Sequence, residues 1–261
     1  MELITSVQNP KIKKLSKLMS SAKHRHESGE FVLEGFRLCL DILNSGYELC
    51  EVYVTAELLQ KYNAEINTLC QKAHQSFEIS QNVCQKVSDT KSAQGIFCVC
   101  RILDKPKDIY KIDFNGKYIL LEQVADPSNL GAVCRTAEAL GVSGVVVCGG
   151  CDIYSPKAQR AAMGSLLRIP VICVENVQNF IEYCRLNGMN SYASTPNSNA
   201  MDILKANMSS GVICVVGNEA QGVTQRTMDA CDESVTIKML GKAESLNAAA
   251  AASIIMWEMM K

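Results

Sequence analysis

The stretch Tyr118-Ile119-Leu120-Leu121-Glu122-Gln123-Val124 is an apolar run that passes through Ala125-Asp126-Pro127-Ser128-Asn129 into Leu130-Gly131-Ala132-Val133-Cys134-Arg135-Thr136-Ala137. The run has strand composition, the polar loop with its proline breaks it, and Leu130, Val133, Ala137 and Leu140 then recur at helical spacing. A strand feeding a helix through a short polar loop is the repeating unit of an α/β fold. The pattern repeats downstream: strands are predicted over 118–124, 145–148, 171–174, 190–193, 212–216 and 234–239, and helices over 130–140, 156–166, 177–187, 224–230 and 246–260. The first loop has no G-x-G-x-x-G fingerprint, which removes the main support for a nicotinamide-dinucleotide fold.

Working back toward the start, Asn9 before Pro10 reads as a helix cap with proline in the first turn, and Ile12, Leu15, Leu18 and Met19 follow at helical spacing. After Ser28-Gly29 strand-like and helical runs alternate: 31–33, 36–44, 51–54, 57–73, 77–79, 83–87 and 95–101. A small α/β domain over 1–102, a polar linker over 103–116 and a second α/β domain over 117–261 are the expected organisation. A length of 261 residues accommodates two such cores.

The composition, 48% hydrophobic and 20% charged, is that of a globular chain. No apolar run reaches the roughly 18 residues of a membrane span, and the N-terminus lacks the basic-then-apolar layout of a signal peptide, so a cytoplasmic protein is expected. Thirteen cysteines, an odd number in a long chain, read as reduced and mostly buried small hydrophobes, not as a disulfide framework. The single C-x-x-C, Cys148 and Cys151, has no second pair at zinc-ligand spacing. The net charge of −1 hides a local excess: Lys11, Lys13, Lys14, Lys17, Lys23 and Arg25 occur with no acid between Lys11 and Arg25. Such a cluster is the footprint of phosphate contact, or else a solvated helix face.

Three segments carry the candidate chemistry. In the first, Gly131 and Arg135 stand four residues apart on one helix face, where a glycine lets a ligand approach beside a guanidinium. In the second, the apolar Val215-Val216 breaks into Gly217-Asn218-Glu219-Ala220-Gln221-Gly222, where glycines can open backbone groups to a ligand and Glu219 could hold an amine or cap a helix. In the third, Ile237-Lys238-Met239 leads through Gly241 to Ser245-Leu246-Asn247 and the alanines 248–252; Ser245 is the expected N-cap, and the alanines suit close helix packing.

In this order and at these strand ends, Asp126-Pro127-Ser128-Asn129-Leu130-Gly131-Ala132 with Arg135-Thr136-Ala137, Gly217-Asn218-Glu219 with Gly222, and Ser245-Leu246-Asn247 with the alanine run resemble the SpoU (TrmH) family of RNA ribose methyltransferases in the SPOUT superfamily. Lys157, Arg160 and Met163-Gly164-Ser165 resemble its middle region, while Asn9-Pro10-Lys11-Ile12-Lys13 and Phe31-Val32-Leu33-Glu34-Gly35 resemble its L30e-like substrate-binding domain. Lys238 stands where many members have proline.

The resemblance implies a parallel sheet with a C-terminal trefoil knot, and S-adenosylmethionine held at Gly217, Asn218, Ile237, Met239, Ser245 and Leu246. It implies Arg135 at the acceptor 2′-oxygen, with Asn129, Glu219, Ser245 and Asn247 holding the arginine or the ribose. Because guanidinium groups stay protonated in proteins, orientation of the hydroxyl and its phosphate is the safer role for that arginine than a base. The expected RNA contacts are Lys11, Lys13, Lys14, Lys23, Arg25 and Arg160. The reaction removes the sulfonium charge and is expected to need no metal. A homodimer and an RNA substrate follow, with 23S ribosomal RNA favoured over transfer RNA. The competing readings are an RNA-binding module with a decayed site and a SPOUT enzyme that methylates a base.

Overall fold

The computed structural model describes residues 1–102 and 112–261; most of the expected linker 103–116 lies outside the described residues. In chain order the elements are β1 (Glu2–Ile4), α1 (Pro10–Ser20), α2 (Ala22–Ser28), β2 (Glu30–Glu34), α3 (Phe36–Asp41), β3 (Leu49–Val54), α4 (Ala56–Lys61), α5 (Asn63–Lys72), β4 (Gln75–Ile79), α6 (Gln81–Val87) and β5 (Ile96–Arg101). They continue with β6 (Lys117–Glu122), α7 (Pro127–Leu140), β7 (Gly144–Cys148), α8 (Pro156–Ala162), β8 (Val171–Cys173), α9 (Val177–Leu186), β9 (Asn190–Ser194), β10 (Met201–Asp202), β11 (Val212–Val216), α10 (Gln225–Ala230), β12 (Glu233–Thr236) and α11 (Ala248–Met259).

Two compact units result. The first comprises the described part of Met1–Asp104 together with Asp152–Leu167; the second comprises the described part of Lys105–Cys151 together with Arg168–Lys261. Chain order suggested that 152–167 belongs to the second unit, but its contacts bind it to the first. Asp152 pairs with Arg25 at 2.7 Å, the Tyr154 ring lies 4.8 Å from that of Phe31, and Arg160 pairs with Asp89 at 2.6 Å.

The first unit is a mixed sheet in the order β1-β4-β3-β5-β2. Helix α1 starts where Asn9 accepts the Lys11 N–H at 2.9 Å, and it buries Ile12, Leu15, Leu18 and Met19. The helical run expected over 57–73 is two helices, broken at Tyr62, whose ring stacks on Phe36 at 4.0 Å.

The second unit is a seven-stranded sheet in the order β10-β12-β9-β11-β6-β7-β8, parallel at every pairing. Parallel strands buried on both faces explain runs such as Val212–Val216, in which every residue is buried. Strands β6 and β11 are hydrogen-bonded neighbours although 89 residues of chain separate Glu122 from Val212. The chain therefore leaves β6 on one side and returns on the other, and at such a reversal the carboxyl ends of the strands open a crevice for ligands.

Candidate active site

Asp126 accepts the Ser128 N–H at 2.9 Å as N-cap of α7, with Pro127 in the first turn. The helix therefore begins three residues before the apolar stripe that announced it, and it presents Asn129 at its first turn, only 8% exposed. The Asn129 amide donates to Glu219 Oε1 at 2.7 Å, and its Oδ1 accepts from Asn247 Nδ2 at 3.0 Å. Glu219 also accepts the backbone N–H groups of Ala125 at 3.1 Å and Asp126 at 3.2 Å. Burial acts most strongly on its carboxyl and pushes the pKa up. The hydrogen bonds from Asn129, Ala125, its own N–H and Asp126 together outweigh that and hold the pKa below the ordinary value.

Asn247 is the N-cap of α11, accepting the N–H groups of Ala249 at 2.9 Å and Ala250 at 3.2 Å. Ser245, the expected cap, lies outside the helix: the side chain that reaches the first free amides belongs to the residue directly before Ala248. Helix α11 packs on α7, with Ala248, Ala249 and Ala252 buried on its inner side.

The loop after β11 folds back on itself. Asn218 and Gly222 exchange backbone hydrogen bonds of 3.1 and 2.8 Å, and Gly222 has φ +70°. A Cβ on Gly217 would stand 2.0 Å from the Gly222 carbonyl carbon, so this turn closes only around a glycine. The Asn218 side chain accepts the N–H groups of Ala220 and Gln221 at 2.9 and 3.3 Å and donates to the Gln123 carbonyl at 2.8 Å. Gln123, at the end of β6, has φ +56°.

Beside this loop is a cavity of about 240 Å³, walled by the ends of β9, β11 and β12 and by α11. Gly217, Asn218, Ile237, Met239, Ser245 and Leu246 all line it, as does Glu219. Sequence reasoning did not single out Ser194-Thr195-Pro196 or Ile255, which complete the wall. The first three carry one signal, the end of parallel strand β9, and Ile255 stands within α11; neither position has a distinctive residue pattern. Arg135 is exposed on α7 and does not line the cavity; among the described residues no group pairs with its guanidinium.

The expected RNA residues divide by environment. Lys13 is exposed and Lys23 pairs loosely with Glu27 at 3.7 Å. Lys11 donates to Gln75 at 2.9 Å over the Phe77 ring, and Lys14 bridges Glu30 and Glu51 at 2.8 and 3.1 Å. Arg160 pairs with Asp89 and lies 3.6 Å from Glu34. Arg25 does not belong to a surface patch: it is 4% exposed, and its guanidinium serves Asp152 and the Leu18 and Met19 carbonyls. A charge pattern read along the chain cannot distinguish a buried, paired arginine from a solvated one. None of the thirteen cysteines is in a disulfide.

Comparison with known proteins agrees with this arrangement. Residues 116–257 match the SpoU rRNA Methylase family, and residues 9–98 match the MRM3-like substrate binding domain. The 23S rRNA (guanosine(2553)-2′-O)-methyltransferase RlmP of Bacillus subtilis (strain 168) is 30% identical over 99% of this chain and 99% of its own length. The 23S rRNA (uridine(2479)-2′-O)-methyltransferase of Streptomyces viridochromogenes is 27% identical, covering 99% of this chain and 91% of that one. An AdoMet-bound rRNA methyltransferase from Sinorhizobium meliloti superposes with a TM-score of 0.87 at 27% identity, over 99% of this chain and 97% of the other. By the match of residues 116–257 and by its full-length relatives, the chain belongs to the SpoU rRNA methylase family.

Proposed function

We propose that this protein methylates a ribose 2′-hydroxyl of 23S ribosomal RNA, with S-adenosylmethionine as methyl donor. The observation that carries the reading is the chain Asn247–Asn129–Glu219, which ties the three motif segments together beside a cavity lined by all six residues expected at the cofactor.

The cavity suits that cofactor. Its wall at Gly217 is main chain packed so tightly on Gly222 and Val223 that no side chain fits there, and the strand ends supply main-chain groups for an adenosine and a methionine moiety. S-adenosylmethionine supplies an electrophilic methyl on a sulfonium. This chain holds the acceptor in line and keeps the approach fixed, a contribution of several kcal/mol when the geometry is right. Arg135, unpaired among the described residues, is available to an RNA phosphate and to the acceptor hydroxyl, orienting both. Asn129 and Glu219 are committed to each other, so their part is to fix the loop after β11 against α7, not to move a proton.

RNA is held by the exposed side of α1 and α2, where Lys13, Lys17 and Lys23 reach solvent. Two copies pair through α11 and its C-cap, where outward Ile254, Trp257 and Met260 are 39%, 58% and 37% exposed. The knot implied by the family would be formed by the segment that ends in α11.

The test is transfer of labelled methyl from S-adenosylmethionine to total RNA of cells lacking this protein, followed by nucleoside analysis. The expected product is 2′-O-methyl nucleoside in 23S RNA, reduced at least about 100-fold by Arg135→Ala. A labelled transfer RNA or a methylated base would redirect the assignment, and cofactor binding without transfer would sink it.

A further inference from the structure

Glu48, Cys50 and His74 meet on the sheet of the first unit, and the methyl-transfer reading uses none of them. Their side-chain donor atoms, a carboxylate oxygen, a thiol sulfur and an imidazole nitrogen, all lie within 4.8 Å of one another. Glu48 directly precedes β3, Cys50 lies within it, and His74 directly precedes β4. The backbone fixes their spacing: the Arg101 N–H donates to the Glu48 carbonyl at 3.0 Å, and the His74 N–H donates to the Leu49 carbonyl at 3.4 Å. Cys50 is the extra residue of a β-bulge in the pairing with β5, between Leu49 and Glu51. Bulges re-aim side chains, and this one falls on the sulfur donor.

The carboxylate is oriented from outside the group. Arg101 Nε donates to Glu48 Oε2 at 2.9 Å, while Oε1 stands 3.4 Å from His74 Nε2. A carboxylate held on one oxygen by an outer partner, with the other turned toward the imidazole and thiol, is how outer partners prepare a metal ligand. The side chains of His74 and Glu48 are 61% and 43% exposed, which leaves an entry path. The bland alternative is a surface ion pair between Arg101 and Glu48 with a histidine nearby; it leaves the convergence of the buried sulfur unexplained.

We propose that Glu48, Cys50 and His74 form a binding site for a divalent transition-metal ion of the zinc class, with water in the fourth position. Thiolate, imidazole and carboxylate are the donor set of that class, and three protein ligands with one open position satisfy its tetrahedral preference. On binding, the Cys50 S–H bond breaks, the proton goes to solvent and the sulfur bonds the ion. Thiolate and carboxylate then balance its two charges. The ion would fasten the start of β3 to the start of β4, independently of methyl transfer.

The test is titration of the full-length protein with cobalt(II) as a spectroscopic stand-in. The expected result is one equivalent bound, with tetrahedral visible bands and a thiolate-to-cobalt charge-transfer band, both bleached by added zinc. Cys50→Ser and His74→Ala should each abolish the thiolate band. Cys173→Ser, which removes an exposed thiol, should leave it, and Glu48→Gln should weaken binding at least about tenfold. Should Cys50→Ser fail to fold, His74→Ala, at an exposed side chain, decides. The absence of a thiolate band, or a band that survives His74→Ala, overturns the site.

Discussion

Asn247 donates its side-chain amide to Asn129 Oδ1 at 3.0 Å, joining residues 118 positions apart, while its own Oδ1 caps α11. One side chain thus serves two purposes, and two substitutions separate them. Asn247→Ala loses cap and link and should cost about 1 kcal/mol of stability as well as activity. Asn247→Asp keeps the cap but sets an acceptor against Asn129 Oδ1, so thermal stability should hold within a few degrees while methyl transfer falls. Melting curves and initial rates on the same preparations check this.

Glu219 has a depressed pKa, so its contribution to stability is fully present above the ordinary carboxyl value of 4.5 and is lost as pH falls through its lower folded-state value. Glu219→Gln should therefore melt lower than wild type at neutral pH, and the gap should close as pH falls below the ordinary carboxyl range and through the lower folded-state value. A gap that persists in acid would mean that the charge is not what holds the loop.

Arg25 and the exposed lysines of α1 should behave oppositely. Breaking the buried Arg25–Asp152 pair by Arg25→Ala leaves a buried carboxylate without its guanidinium and should cost about 3–5 kcal/mol. Lys13→Ala with Lys17→Ala should leave stability within about 0.5 kcal/mol. The double lysine change should lower RNA affinity and reduce the slope of log K against log salt by about 2. Denaturant melts and filter binding at several salt concentrations separate the two outcomes.

Gly217→Ala places a methyl 2.0 Å from Gly222 and should cost about 1–3 kcal/mol together with measurable loss of S-adenosylmethionine binding by calorimetry. Gln123→Gly, at a residue with φ +56°, should stabilise the fold by about 1 kcal/mol or less. If Gln123→Gly destabilises instead, the side chain over Gly149 contributes more than the backbone strain costs.

Much of this was legible in the sequence wherever a local signal was undiluted. The strand Val212–Val216 was readable at both ends because glycines bound an unbroken apolar run. Asn9 and Pro10 announced α1 because capping is a contact between residues two apart. That the six residues expected at the cofactor gather at one cavity was legible through the family resemblance, since their spacing alone says only that they lie in loops. What stayed hidden depends on distant partners. Strand β1 is three residues long and exists only by pairing with β4, and Arg25 is buried only because Asp152 arrives from 127 positions away. Tyr62 breaks a run that reads as one helix because its ring stacks on Phe36.

The turn between Gly217 and Gly222 also bears on how the protein can change over time. Its shape is enforced by main-chain bonds and one asparagine, so the exposed Ala220 and Gln221 contribute little beyond their amides. Those two positions can vary without changing the backbone of the turn, although both line the pocket and tune its wall. Gly217, which offers no functional group at all, is frozen because the Gly222 backbone takes the place a side chain would need. Tolerance to substitution around this site thus runs opposite to chemical conspicuousness.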